Sequence, residues 1–383
     1  IPSGYKASKL YSVLPTDGTG DFTTTRASVA TRVNENGLIE EVASNVPRLD
    51  YSDGTCPSLL LEPIARNFLI QSESFDDVAW TKDLSGVASA PVVTANQGIS
   101  PDGTLNADRI VFDLNGGVSS GDGSIIQQAI TLTGINVNTR SVYLKSNTNL
   151  SYDIILGTNT ANSSAEKITV TTEWQRFEVT QTPTTTATNF YLGLRNAFGI
   201  SGLSDSADVL VYGAQLEENS YATSYIKTVG TTQTRVADTV TGSGNSTVIN
   251  SSEGVLYFEA SASQSGTIQL YGNASARIWV ELNDLDTKLY INNGAGAVVL
   301  ASSTIASGFN SYRKIAISYK ENIFKIFVNG TGLTVTPTQG TFVDSTLNEV
   351  TFSFGSPLYG KTKSVQVYTT SLSDAELTTL TTI

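Results

Sequence analysis

Between residues 109 and 216 eight short apolar segments follow one another at close, even spacing. They are residues 109–114, 125–132, 140–145, 151–157, 167–171, 175–180, 189–195 and 208–216. Each is too short for a stable helix, and most alternate apolar with polar residues. Polar turns such as NGG, SGDG and NTN separate them. That rhythm is the mark of an antiparallel sandwich. A second series runs from residue 253 to the end: EGVLYFEAS, GTIQLYG, ARIWVELN, TKLYIN, AVVLAS, YRKIAISYKEN, IFKIFVNG and LNEVTFSFG. Only 15% of residues are charged, and abundant Thr, Ser, Asn and Gly favour strands and turns over helix. The expected fold class is therefore all-β, with two antiparallel β-sandwiches in series.

The first series closes on DVLVYGAQL at residues 208–216. Alternation puts Val209, Val211 and Gly213 on one face and Leu210, Tyr212, Ala214 and Leu216 on the other. A strand apolar on both sides is covered on both sides. Polar EENS then leads the chain out of the sheet. Residues 229–252, VGTTQTRVADTVTGSGNSTVINSS, hold few large apolar groups and are expected to be a linker or an outer strand with loose ends. The domains expected are thus 67–228 and 253–383 on either side of it.

Residues 1–66 have no long period, and a segment of that size with so few apolar groups would struggle to bury a core alone. It is expected to lie on a neighbouring domain, another subunit or a larger particle; the alternative is a linker wrapped over its own first domain. The lack of Met and the start at Ile1 lead us to expect a trimmed terminus or a piece of a longer chain.

Composition removes several function classes. The net charge of −12 with no basic patch argues against nucleic acid as a partner. No apolar run approaches the roughly 20 residues of a membrane helix, and IPSGYKASKLYSV has no signal-peptide core. There is no histidine, which removes Ser-His-Asp and Cys-His catalysis and most zinc chemistry. Cys56 is the only cysteine, so no disulfide forms within one chain. The adjacent carboxylates Glu40-Glu41, Asp76-Asp77 and Glu217-Glu218 point to opposite faces if on strands, unlike a glycosidase pair. No catalytic residue and no enzymatic activity is expected.

Several segments carry resemblances. GTGDFTTTRASVATRVNENGLIEEVASNVPRLDY and CPSLLLEP resemble a module near the start of bacteriophage tail-fibre and head-appendage proteins. NFLIQSESFDDVAWTK, TTEWQRFEVTQT and GAQLEENSYATSYIKT resemble carbohydrate-binding-module-like jelly rolls of such virion proteins. YRKIAISYKENIFKIFVNG and SPLYGKTKSVQVYTTSLSDAELTTL resemble the last strands of laminin-G-like (concanavalin A-like) lectin sandwiches, with a capping box from Ser373 to Glu376 for a short final helix. The resemblance implies an N-terminal virion-attachment and oligomerisation module at 1–66, then a jelly roll, then a lectin sandwich. It implies a virion protein on the outer surface of a phage particle, a homotrimer contacting other virion proteins and host-surface polysaccharide. The competing readings are a purely structural decoration protein and a secreted glycanase or adhesin fragment.

For glycan binding, a sugar's apolar face stacks on an exposed ring while polar side chains fix its hydroxyls. In ARIWVELN, Trp279 shares a face with Arg277 and Glu281, opposite Ile278 and Val280. Tyr143 sides with Lys145, and Tyr191 with Asn189 and Arg195. Trp279, Tyr143, Tyr191 and Arg195 are thus the candidate glycan contacts, and Trp174 reads as a core or edge-covering ring. No cofactor is required. The jelly-roll resemblance implies a structural Ca2+ held by Asp208 and Glu73. A weakly charged or neutral polysaccharide suits so acidic a chain better than a polyanion.

Overall fold

A computed structural model describes residues 3–6, 9–12, 21–159, 164–195, 200–294, 298–303, 308–335, 342, 345–353 and 355–383; for 3–6, 11–12 and 298–303 it describes the backbone alone. The described residues are all-β apart from one short helix, and they form two compact units. One unit comprises residues 36–41 and 64–236, the other 1–35, 42–63 and 237–383.

The first unit is a jelly roll of two five-stranded antiparallel sheets. One sheet runs in the order Ser89–Ile99, Leu105–Asp113, Ser206–Glu217, Asn138–Ser146, Gln175–Gln181. The other runs Ser164–Val170, Tyr152–Thr158, Ala187–Arg195, Gly123–Thr131, Thr81–Ser85. Alternate residues of both sheets meet in one core, including Ile110, Phe112, Ile126, Val142, Leu144, Ile154, Phe190 and Leu192. Trp80 closes it, 4.8 Å from the Phe75 ring and edge-on to Phe190 at 5.7 Å.

The closing strand corrects the face assignment for residues 208–216. Gly213 adopts φ +63° and the register to the neighbouring strand slips between Ser141 and Tyr143. One extra residue in a bulge reverses the parity beyond it. Val209 and Val211 therefore share the core with Ala214 and Leu216, while Leu210 and Tyr212 lie on the other face.

In the second unit a seven-stranded sheet faces a five-stranded one. The larger sheet has the order Thr331–Leu333, Ile323–Val328, Arg313–Lys320, Gly254–Ala262, Gly360–Tyr368, Ser58–Leu61, Arg48–Asp50. The smaller has Val298–Ser303, Thr287–Asn293, Ala276–Leu282, Gly266–Asn273, Glu349–Thr351. The helix Asp374–Thr381 opens on the expected box: Ser373 accepts from the Glu376 backbone N–H, and the Glu376 carboxylate accepts from the Ser373 backbone. Leu377 of that helix packs with Val255, Tyr257, Ala316 and Phe327 on the outer side of the larger sheet.

The N-terminal residues are not a body of their own. Arg48–Asp50 and Ser58–Leu61 are the last two strands of the seven-stranded sheet, and Thr23–Thr25 pairs with Thr239–Thr241 from the expected linker. The missing core is supplied by the C-terminal sandwich of the same chain: Phe22, Leu59 and Leu61 join Val240, Phe258 and Phe352. The expected linker 229–252 is split, residues 229–236 going with the jelly roll and 237–252 with the second unit.

Candidate functional site

The candidate glycan contacts fall on three separate faces. Trp279 lies off the core face, as alternation requires, for Ile278 and Val280 beside it are in the core. The Trp279 ring is nonetheless covered. Tyr290, directly across on the next strand, stacks on it at 5.0 Å with an interplanar angle of 2°, and the Arg277 guanidinium lies 4.2 Å from its centroid. With 8% exposure, little ring surface is left for a ligand. Tyr290 itself is half-buried and its hydroxyl donates to Glu281 at 3.0 Å.

Tyr191 and Arg195 share the outer face of one jelly-roll sheet, where Arg195 Nη1 donates to the Tyr191 hydroxyl at 2.9 Å. Tyr191 is buried beneath Ile200 and Leu203 with Ile125 and Ile155. It is a covered ring, so the expectation that it meets a sugar does not fit its surroundings.

Tyr143 sits on the outer face of the other jelly-roll sheet and is half-buried. It belongs to a cluster of Tyr212, Tyr225, Trp174 and Ile39. The rings form a ladder: Tyr143 to Tyr212 is 6.1 Å, and Tyr212 to Tyr225 is 5.3 Å. The inner hydroxyls are fixed. Tyr212 donates to Asp102 at 3.2 Å, and Tyr225 donates to Glu73 at 2.9 Å with Ser72 2.7 Å away. Burial first, then the nearby carboxylates Glu73 and Asp102, push the Tyr212 phenol well up, so it stays a neutral donor. At the mouth of the cluster stand Tyr143 and the half-buried Trp174, whose indole N–H donates to the Ile99 carbonyl at 3.0 Å. Arg176, opposite Tyr143 across the strand pair, places its guanidinium 5.4 Å from that ring and donates to Ser141 at 2.9 Å. Glu178 lies opposite Ser141, and Lys145 follows Tyr143 on the same face.

This face joins half-buried rings to hydrogen-bonding groups of both signs. Alternation found Tyr143 but not its companions. Trp174 stands in a turn before its strand, where period-2 reasoning says nothing, and it packs outside the main jelly-roll core.

The expected Ca2+ ligands do not fit that ion. Asp208 is held bidentately by Arg109, 2.8 Å to Nε and 2.6 Å to Nη2, and also accepts from Asn147 at 3.1 Å. Glu73 accepts from Tyr225 and lies 2.7 Å from the Lys227 ammonium. Each carboxylate is thus neutralised by a side-chain cation, and the two belong to separate networks. Ca2+ needs six to eight oxygen ligands, yet among the described residues no three acidic, His or Cys side chains could hold a metal. The adjacent carboxylates also separate: buried Glu217 accepts from Thr223, Glu218 from Thr133.

The chain matches no protein-family model and no curated protein. Among solved structures it overlays on domain 4 of an extracellular arabinanase from Geobacillus stearothermophilus, solved with arabinotriose. The TM-score there is 0.32 at 13% identity, over 43% of this chain and 84% of that one. It overlays on domains LG4-5 of the mouse laminin α1 chain at TM-score 0.25 and 11% identity, over 63% and 85%. A sialidase from Trypanosoma rangeli gives TM-score 0.28 and 10% identity, over 99% and 97%. Overlays at these scores transfer no ligand and no residue role to this chain, which stands as an all-β protein of two antiparallel sandwiches.

Proposed function

We propose that the protein binds surface glycans through the Tyr143–Trp174 face of its jelly roll. The observation that carries this is the pair of half-buried rings at the mouth of the tyrosine ladder, bordered by Arg176, Glu178 and Lys145. A pyranose ring would stack its C–H face on Tyr143 or Trp174, and its hydroxyls would bond the flanking polar groups. The hydrogen bonds that tie Tyr212 and Tyr225 below hold the mouth in place before the ligand arrives. The partner is a neutral or weakly charged polysaccharide, in keeping with the net charge of −12. No catalytic role is assigned to any residue.

The setting we propose is the outer surface of a bacteriophage particle, as a tail fibre or head appendage attached to other virion proteins. It is supported by the sequence resemblance of residues 18–51, 67–82 and 213–228 to such proteins. In that setting the chain is a homo-oligomer, a trimer in this reading, and many weak sites on one particle add avidity without new contacts. A glycan array tests the binding. Tyr143→Ala and Trp174→Ala should each cut the strongest signal about tenfold while far-UV circular dichroism is unchanged. Wild-type signals from both variants would remove the glycan role from this face.

A purely structural decoration protein is the second reading. It is favoured by one observation: among residues whose side chains are described, every Trp, Tyr and Phe is buried or half-buried. An array with no signal for the intact chain would select it.

A further inference from the structure

Among the described residues, the jelly roll holds a buried cation, Arg140, with no anion beside it. Arg140 lies on the inward face of the strand Asn138–Ser146, in line with the core residues Val142 and Leu144, and is fully buried. Its hydrogen bonds all go to neutral acceptors. Nε donates to the Asn189 carbonyl at 2.8 Å, and Nη1 to Asn138 at 2.6 Å and Gln181 at 3.0 Å. Nη2 donates once, to Thr188 at 2.6 Å. A guanidinium has five N–H groups, so one on Nη2 has no acceptor among the described residues. Burying a cation without a counter-charge is costly, and burial alone lowers the Arg140 pKa to about 9.

Above this guanidinium the two sheets part into a cleft of about 200 Å³. Its walls include Asn138, Thr158, Thr180, Gln181 and Thr188, so they are hydroxyls and amides where the rest of the interior is apolar. The cleft is smaller than the 300–1,000 Å³ of pockets for drug-sized ligands, a size for a single sugar ring. Its one acidic lining residue, Glu166, is exposed. Gln181 covers the guanidinium, accepting from Nη1 while its own amide donates to Ser164 at 2.7 Å. That side chain is half-buried and can turn outward without disturbing the core.

We propose that this cleft binds the carboxylate of an acidic monosaccharide, a hexuronate, with Arg140 as the counter-charge and Gln181 as the group displaced. Binding would give Nη2 its missing acceptor and replace a neutral contact by a charge-assisted one. The hydroxyl and amide walls would take the sugar's own hydroxyls. The inference goes beyond the glycan reading: it concerns a second site, on the inward side of the strand whose outward side carries Tyr143, and a single charged sugar in place of the neutral or weakly charged chain assigned to the outer face.

The experiment is a titration of the full chain with D-glucuronate, followed by NMR shifts, with D-glucose and acetate as controls. Glucuronate should bind at least tenfold more tightly than either control, and Arg140→Gln should abolish the difference. Because Arg140→Gln alters a buried network, Thr182→Trp serves beside it. Thr182 is an exposed residue of the cleft wall, and a Trp there would block entry without touching the guanidinium. It should lose glucuronate binding and keep the wild-type melting temperature. Tyr143→Ala should leave glucuronate binding unchanged, which separates failure here from failure of the outer face. Equal binding of glucuronate and glucose, acetate binding as tightly as glucuronate, or undiminished binding in Thr182→Trp would overturn the proposal.

Discussion

The two sandwiches meet the same difficulty by opposite chemistry. Each must tie irregular chain to its sheets, and irregular chain brings backbone groups that need partners. The C-terminal sandwich does it with charge. Arg26 and Arg48, both fully buried, converge on Asp238: Arg26 Nη1 is 2.9 Å from one carboxylate oxygen, and Arg48 Nη2 donates to the other. Arg48 also reaches Glu62 at 2.6 Å. Other guanidinium N–H groups of the pair take the backbone carbonyls of Ser28, Thr31, Val42, Ala43 and Val46. The jelly roll does it with amides. Asn67, fully buried, donates to the Ala214 and Ile226 carbonyls at 3.1 and 2.9 Å and accepts from the Leu69 and Leu216 N–H groups. Gln215 repeats the pattern toward Thr223, Ser224 and Ile226.

An amide carries donor and acceptor in one group and adds no charge to be desolvated. An ionic node is more exacting: removing one member leaves the others buried and unpaired. The sharpest way to break the comparison is therefore Asp238→Asn, which deprives two buried arginines of a carboxylate at once. We expect a loss of about 4 kcal/mol in the second unit, read by urea denaturation with Trp279 fluorescence. A loss below about 1 kcal/mol would mean the backbone carbonyls suffice and the ionic node is incidental.

Asn67→Ala is the matching cut in the jelly roll. It strands two carbonyls and two N–H groups, and we expect about 3 kcal/mol lost from that unit, seen as earlier unfolding by hydrogen exchange in residues 64–72 and 214–228. Asn67→Asp should be nearly as harmful, because a buried carboxylate would face two carbonyls. If Asn67→Asp were neutral, the amide account would fail.

The smallest effect concerns pH. Glu217 is fully buried at the exit of the closing strand, and burial raises its pKa despite hydrogen bonds from Thr223. A carboxyl whose folded pKa lies above its unfolded value contributes stability below the unfolded pKa, and that contribution is lost as pH rises through the folded one. Glu217→Gln should therefore gain on the wild type as pH goes from 4 to 7, followed by denaturant midpoints. A variant that loses ground over that range would show Glu217 to be stabilised as the anion, with Arg176 outweighing desolvation.

Much of the fold was legible where alternation was strong. The eight segments of the jelly roll between residues 109 and 216 all correspond to strands, and Ser373 and Glu376 cap the last helix as their spacing implies. The strands Thr81–Ser85 and Ser89–Ile99 escaped because both lie at sheet edges. Their exposed positions mix Thr81, Ser89, Thr94, Asn96 and Gln97 with Leu84, Val92 and Ile99, which blurs the period. Of the site, the sequence placed Trp279 and Tyr143 off the core face, but it had no means of seeing that Arg277 and Tyr290 cover the first ring while the second stands at an open mouth.

What the sequence determined by itself was local: strand or turn, inward or outward, and the capped final helix. These follow from spacings of two to four residues, over which the backbone alone sets geometry. What only the tertiary structure decided was partnership across the chain. Arg26 meets Asp238 across 212 positions, Leu59 pairs with Thr362, and the bulge at Gly213 turns Ala214 and Leu216 into the core. None of these has a period to read. Each exists because burial of the surrounding apolar surface brings the groups together, and once buried they must be satisfied there.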